Sequence, residues 1–239
     1  MSHLNQELLK LRTDVTEMWQ LVLGQLTKGK EALETFDKDI ALEIVSNEKR
    51  INSYELLIDR QCANMLALYT PVAVDLRFVL AVLKITANLE RIADNLESIA
   101  RYIMDVEHPF DEDLMKNMQM EQMLDMAIMM QENIYTAFER EDDKLARKVF
   151  KKDAVLDEIN MRAPKVTADF IRLNPDKIEQ CLYLLSVVRK IERVGDQSKN
   201  IGEEIIYFLK AKVLKHRKKK VKKDEIRKPV IRKKKPETE

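Results

Sequence analysis

The chain has 239 residues, 45% of them apolar, with only 4 Gly and 6 Pro, which is enough apolar material for one large or two small cores and too few turn residues for the many corners of a β fold. No stretch approaches the roughly 18 uninterrupted apolar residues of a membrane span, and MSHLNQELLK lacks the apolar core of a signal peptide, so an all-α, cytoplasmic protein is expected. The formal charge of +1 conceals an asymmetry: from Lys210 onward 15 basic residues stand against 4 acidic, leaving 27 against 37 before it, an acidic body with a basic tail.

Apolar residues at helical spacing from Leu4 to Leu33 predict a first helix over 3–36. Asp37 and Asp39 can cap a second helix running to Tyr69. Thr70 as N-cap with Pro71 at the first helical position opens a third, to about Glu107. Three long helices with short joints predict an antiparallel bundle. His108-Pro109-Phe110-Asp111 is the linker candidate, because proline disfavours helix in the residue before it and Asp111 or Asp113 can cap the next helix. Beyond it the plan repeats: a helix over 112–140, a break at 139–143, a helix to Leu173 that Pro164 should kink or shorten, a start at Asn174-Pro175 and a final helix to Lys210. The expected organisation is therefore a three-helix bundle in 1–108, a second in 109–210, and a basic tail in 211–239.

Seven of the 12 methionines fall between Met115 and Met130. Met115, Met118, Met123, Met126 and Met130 form a helical stripe that reads as core packing before it reads as a soft-metal surface. Cys62 and Cys181 occupy non-equivalent positions and form no CxxC pair, so buried, reduced thiols are expected.

The segment Lys84 to Arg101, KITANLERIADNLESIAR, is echoed by Arg189 to Glu204, RKIERVGDQSKNIGEE. Two further landmarks recur in order, Glu48 with Asp153 and Pro71 with Pro175, at offsets of 105 and 104 against 102 for Glu90 and Glu192, which indicates an internal duplication. Glu90 and Asp94, like Glu192 and Asp196, are four apart, a spacing that stacks two like charges on one helix face. If the second and third helices turn back at Pro71, residue n lies level with 142 minus n, setting Glu48 against Asp94 and Asn52 against Glu90. The same mirror at Asn174-Pro175 sets Asp153 against Asp196 and Asp157 against Glu192.

Converging carboxylates either stay protonated or recruit a cation. All-oxygen donors suit Mg²⁺, Ca²⁺, Mn²⁺ or iron, whereas zinc usually brings His or Cys. The Glu-x-x-His of di-iron oxidase bundles is absent, which disfavours redox catalysis. The competing reading is a solvated acidic face paired with Arg91, Arg101 or Arg193, opposite the apolar stripe of Ile85, Leu89, Ile92, Leu96 and Ile99. Repetition in both copies favours the cation.

The twin Glu-Arg-Ile/Val-Ala/Gly-Asp segments and the start Pro-Val-Ala-Val-Asp75-Leu76-Arg77 resemble the PhoU family over about residues 4 to 210. The resemblance implies two similar three-helix bundles, multinuclear metal clusters on acidic surface motifs, and no known catalysis. It also implies restraint of the phosphate-starvation response through the phosphate ABC transporter's ATPase and a membrane sensor histidine kinase, with a homodimer and a location at the inner face of the membrane. On that resemblance the metal ligands are Glu90, Asp94, Glu192 and Asp196, with Glu48, Asn52, Asp153 and Asp157 as facing partners, and the ion is iron, manganese, magnesium or zinc.

The two copies differ in places. Ala93 replaces the Gly that Gly195 retains, and Lys199 stands where the first copy has Glu97. The basic tail has no counterpart in the common family pattern. It reads as a solvated segment, as an anchor to an anionic membrane surface, or as a non-specific nucleic-acid binder, its lack of aromatics weighing against single strands. The leading function is a non-enzymatic, metal-binding regulator of phosphate uptake and signalling. The alternatives are a metal-dependent hydrolase using clustered carboxylates and a nucleic-acid or membrane-surface binder acting through the tail.

Overall fold

The structure is a computed structural model that describes residues 3–214. Those residues form seven helices and no strand: α1 (His3–Thr35), α2 (Lys38–Leu68), α3 (Ala73–Asp105), α4 (Glu112–Asn117), α5 (Met120–Glu139), α6 (Asp143–Leu173) and α7 (Ile178–Lys210). No helix among them is long and apolar enough to cross a membrane. The expected basic tail lies outside the described residues from position 215 onward, and with it the anionic-membrane and nucleic-acid readings.

Local chemistry accounts for most boundaries. Asp37 accepts hydrogen bonds from the Asp39 and Ile40 amides to cap α2, and Asp142 does the same for Lys144 and Leu145 at α6. Asp111 caps α4 through the Leu114 amide. Two expectations are corrected outright and a third in part. The helix expected over 112–140 is broken at Gln119, whose left-handed φ of 54° separates α4 from α5. Pro71 does not open α3: the helix starts at Ala73 after Val72, which offers no side-chain cap, and Thr70 itself sits at φ 42°. Pro164 lies inside α6, which continues through it to Leu173; its missing amide costs one hydrogen bond that the rest of a 31-residue helix outweighs.

Helices α1, α2 and α3 pack into one three-helix bundle and α5, α6 and α7 into another. The bundles join along α3 and α7 and, less extensively, along α1 and α5. The pairs across α3 and α7, Lys84 with Glu204, Asn88 with Asn200 and Ser98 with Lys190, each add to 288, as required of antiparallel neighbours. Inside the first bundle the apolar stripe of α3 is dry: Ile85, Leu89, Ile92, Leu96 and Ile99 are at most 2% exposed. The methionine stripe is core, with Met118, Met120, Met123 and Met130 buried and Met115 and Met126 packed against them.

A buried polar chain crosses between the bundles. The Trp19 indole donates to Gln131 Oε1 at 3.1 Å, Gln131 Nε2 donates to Ser198 Oγ at 2.6 Å, and Ser198 donates to the Val194 carbonyl. Around it Trp19, Phe138, Phe78 and Phe208 form an aromatic cluster, with the Arg12 guanidinium over the Phe78 and Phe138 rings. Cys62 and Cys181 are free and buried, and burial pushes the Cys62 thiol up to about 12.

Candidate acidic sites on the two hairpins

Each candidate site lies on the seam of a helical hairpin, α2 with α3 or α6 with α7. Glu90 and Asp94 stand one turn apart on α3, just outside the buried stripe, with Glu90 half-buried and Asp94 exposed. Burial, followed by Asp94 and Glu55, pushes the Glu90 carboxyl up to about 7. Burial also raises Glu55, helped by Asp59 and Asp94 and opposed by Arg91. The group facing α3 is therefore Glu55, with Asp59 behind it.

Glu55 and Asp59 were not among the residues expected here. Glu48 and Asn52 are on α2, but the hydrogen bond they make runs along that helix, from Asn52 Nδ2 to Glu48 Oε1. The reason is geometric. Side chains lean toward the N-terminus of their own helix, so in an antiparallel hairpin the tips that meet belong to residues a few positions later than the level backbone pair. The short Cys62 reaches the Val79 carbonyl with numbers adding to 141, near the mirror value, whereas Glu55 meets Glu90 at 145. The signal was available: Glu48, Asn52, Glu55 and Asp59 all fall on one face of α2.

The second hairpin brings four acids together, with one addition. Asp153 and Asp157 on α6 face Glu192 and Asp196 on α7, and burial followed by Asp196, Asp157 and Asp153 raises the Glu192 carboxyl. Lys199 reaches into this group, donating to Asp153 Oδ2 and, at 2.6 Å, to Asp196 Oδ1. Burial opposes the Lys199 charge, but those two hydrogen bonds outweigh it and hold the ammonium above its ordinary range. Asp153 is 6% exposed, and burial raises its carboxyl against the pull of Lys199. Its other oxygen, Oδ1, has no partner. The close approach of Leu156 depends on Gly195: a Cβ there would stand 2.4 Å from Leu156 Cδ1, while Asp153 Oδ1 at 3.5 Å would be in ordinary contact with it.

In the first copy the residue at the Lys199 position, Glu97, pairs at 2.6 Å with Arg101 on its own helix. A polar groove of about 480 Å³ between α3 and α7 runs past Asp94, Asn95, Arg91, Lys190 and Arg193. Among the described residues no three Asp, Glu, His or Cys side chains are drawn in tightly enough to clasp one ion as they stand. The donor chemistry nevertheless fits a hard cation in the first copy, where half-buried carboxylates repel one another without an ammonium among them. In the second copy two of the four acids, Asp153 and Asp196, are already paired with Lys199.

The family model for the PhoU domain matches residues 15–103 and again residues 120–205. The chain is 30% identical over 212 residues to the phosphate-specific transport system accessory protein PhoU of Escherichia coli (strain K12), covering 89% of this chain and 87% of that one. It is 29% identical over 214 residues to a PhoU homolog 1 of Thermotoga maritima, covering 89% and 91%. Among solved structures, PhoU from Pseudomonas aeruginosa superposes with a TM-score of 0.80 at 28% identity over 87% of this chain and 99% of that one. The phosphate transport system regulatory protein PhoU from Streptococcus pneumoniae gives 0.77 at 26% identity over 89% and 99%.

Proposed function

The chain belongs to the PhoU domain family, each of its halves carrying one copy of the domain, and from that premise we propose that it is a non-enzymatic regulator of phosphate transport that binds a divalent cation on its first acidic hairpin. The relatives are named as accessory or regulatory proteins of phosphate transport, which supports the regulatory role. The finer reading is that the chain docks on the phosphate ABC transporter's ATPase and on a membrane sensor histidine kinase. Exposed apolar side chains support docking. Six of them lie at the two hairpin tips, Leu68, Val72 and Val74 on one and Leu173, Ile178 and Leu182 on the other.

The observation that carries the cation reading is the convergence of Glu90, Asp94 and Glu55 on one half-buried seam, where burial first, and then Asp94 and Glu55, raise Glu90 to about 7. Manganese, magnesium or ferrous iron held by Glu90 and Asp94, with Glu55 and Asp59 across the hairpin, would neutralise that charge and tie α2 to α3. A cation that binds only the folded chain stabilises it by about 2.7 kcal/mol at a hundredfold excess over its dissociation constant. Thermal melts with and without Mn²⁺ test this: the melting temperature of the chelator-stripped protein should rise, and Glu90→Gln with Asp94→Asn should abolish the rise. An equal rise in the double variant would refute the site.

A further inference from the structure

We propose that Lys199 is a built-in cation that closes the second acidic hairpin, so that the two copies differ in metal capacity: the first open to a divalent ion, the second a latent site already filled by the chain's own ammonium. The inference rests on the cation reading for the first copy only as a comparison. The closure of the second stands on its own geometry.

The Lys199 ammonium sits between the two helices of the hairpin, bonded to Asp153 Oδ2 on α6 and to Asp196 Oδ1 on α7. A metal bridging the two helices through Asp153 and Asp196 would compete with that ammonium for their carboxylates. Beside it Gly195, without a Cβ, lets Leu156 close onto α7. The Asp153 side chain is only 8% exposed, and its unpartnered Oδ1 is a second, unused donor oxygen on the same carboxylate. A carboxylate oxygen left bare at that depth is costly unless a cation is near. Lys199 supplies the charge but, bonded elsewhere, does not satisfy it.

The first copy lacks every part of this closure. Glu97 replaces Lys199 and is held by Arg101, and Ala93 replaces Gly195. The acid content differs in the same sense. The 105-residue offset carries Glu55 onto Asn160, Asp59 onto Pro164 and Asn52 onto Asp157, so the second hairpin has one carboxylate fewer where it has gained an ammonium. Five acids in the first copy, Glu48, Glu55, Asp59, Glu90 and Asp94, correspond to four in the second, Asp153, Asp157, Glu192 and Asp196, with Lys199 among them.

Removing the ammonium should convert the second hairpin into a metal site. The probe is Mn²⁺ alone, titrated into the chelator-stripped full chain with free ion read by electron paramagnetic resonance. In the wild type, Asp196→Asn should leave binding unchanged. Lys199→Met, which keeps an apolar stem, should add a saturable class of sites at least tenfold tighter than anything the wild type shows at that hairpin. Asp196→Asn should remove that class, and Asp94→Asn should leave it intact. If Lys199→Met does not fold by circular dichroism, Lys199→Gln removes the charge while keeping a donor, and carries the same expectation. The inference is overturned if Asp196→Asn lowers wild-type binding, because the second hairpin then loads despite Lys199. It is equally overturned if a folded Lys199 variant gains no Mn²⁺. A wild type that binds none, beside a Lys199 variant that does, would refute the first-copy site and uphold this one.

Discussion

Trp19 on α1 and Gln131 on α5, fully buried and 112 residues apart, are joined at 3.1 Å by an indole-to-carboxamide hydrogen bond across the bundle interface. Gln131 is the centre of the chain, accepting from Trp19 and donating to Ser198. Gln131→Met keeps the volume but strands the indole N–H and one Ser198 lone pair, and should cost about 2–3 kcal/mol. Because the lost contacts span both bundles, urea unfolding of the variant should remain one transition with a lower midpoint. Two separated transitions would show that the bundles unfold independently.

Thr86 is fully buried on α3 and its hydroxyl has no partner. The equivalent position in the second copy, 102 residues on, is Val188, also fully buried. Thr86→Val should therefore stabilise the chain by about 1 kcal/mol, since the isosteric methyl removes an unsatisfied group. A destabilised variant in denaturant melts would mean the hydroxyl is bonded.

Two glycines in helix interiors should respond in opposite directions. At Gly24 a Cβ meets nothing within 4 Å, so Gly24→Ala should stabilise by about 0.5–1 kcal/mol through helix propensity. At Gly195 the same methyl would stand 2.4 Å from Leu156 Cδ1, and Gly195→Ala should destabilise by about 1–3 kcal/mol. Paired melting curves check the sign of each.

Glu90 makes stability depend on pH. Burial, Asp94 and Glu55 raise its carboxyl from 4.5 to about 7, with Arg91 the one nearby group opposing them. Between those values the folded chain holds a proton the unfolded chain has released, so stability falls as pH rises through about 4.5 to 7. After allowance for the solvent reaching a half-buried group, the loss is about 1 kcal/mol. Glu90→Gln should flatten this decline and melt higher than the metal-free wild type at pH 8. Parallel pH profiles for the two proteins in chelator would place the effect elsewhere.

The duplication and the hairpins were legible in the sequence because both are backbone periodicities. The ends at Leu173 and Lys210 and the caps at Asp37 and Asp111 followed from rules that act within one turn. What escaped depends on reach beyond the backbone. Glu55 faces Glu90 because long side chains lean, which a level mirror ignores, and Lys199 stood out as a charge difference without revealing that it lands on Asp153, whose number with its own adds to 352 against a level value of 349. The break at Gln119 escaped for a different reason: its left-handed backbone falls at a residue that carries no turn signature.

The antiparallel contact of α3 with α7 makes this chain, in effect, a dimer with itself. In a true homodimer every substitution appears on both sides of the axis at once, so a lysine that silences one acidic seam must silence its twin. A tandem duplication lifts that constraint. With both halves encoded separately but held in fixed one-to-one proportion, one can drift toward structural support while the other keeps its chemistry, and no unmatched partner is ever produced. Lys199 opposite Glu97, Gly195 opposite Ala93 and Val188 opposite Thr86 are residues at which the two halves of this single polypeptide have diverged.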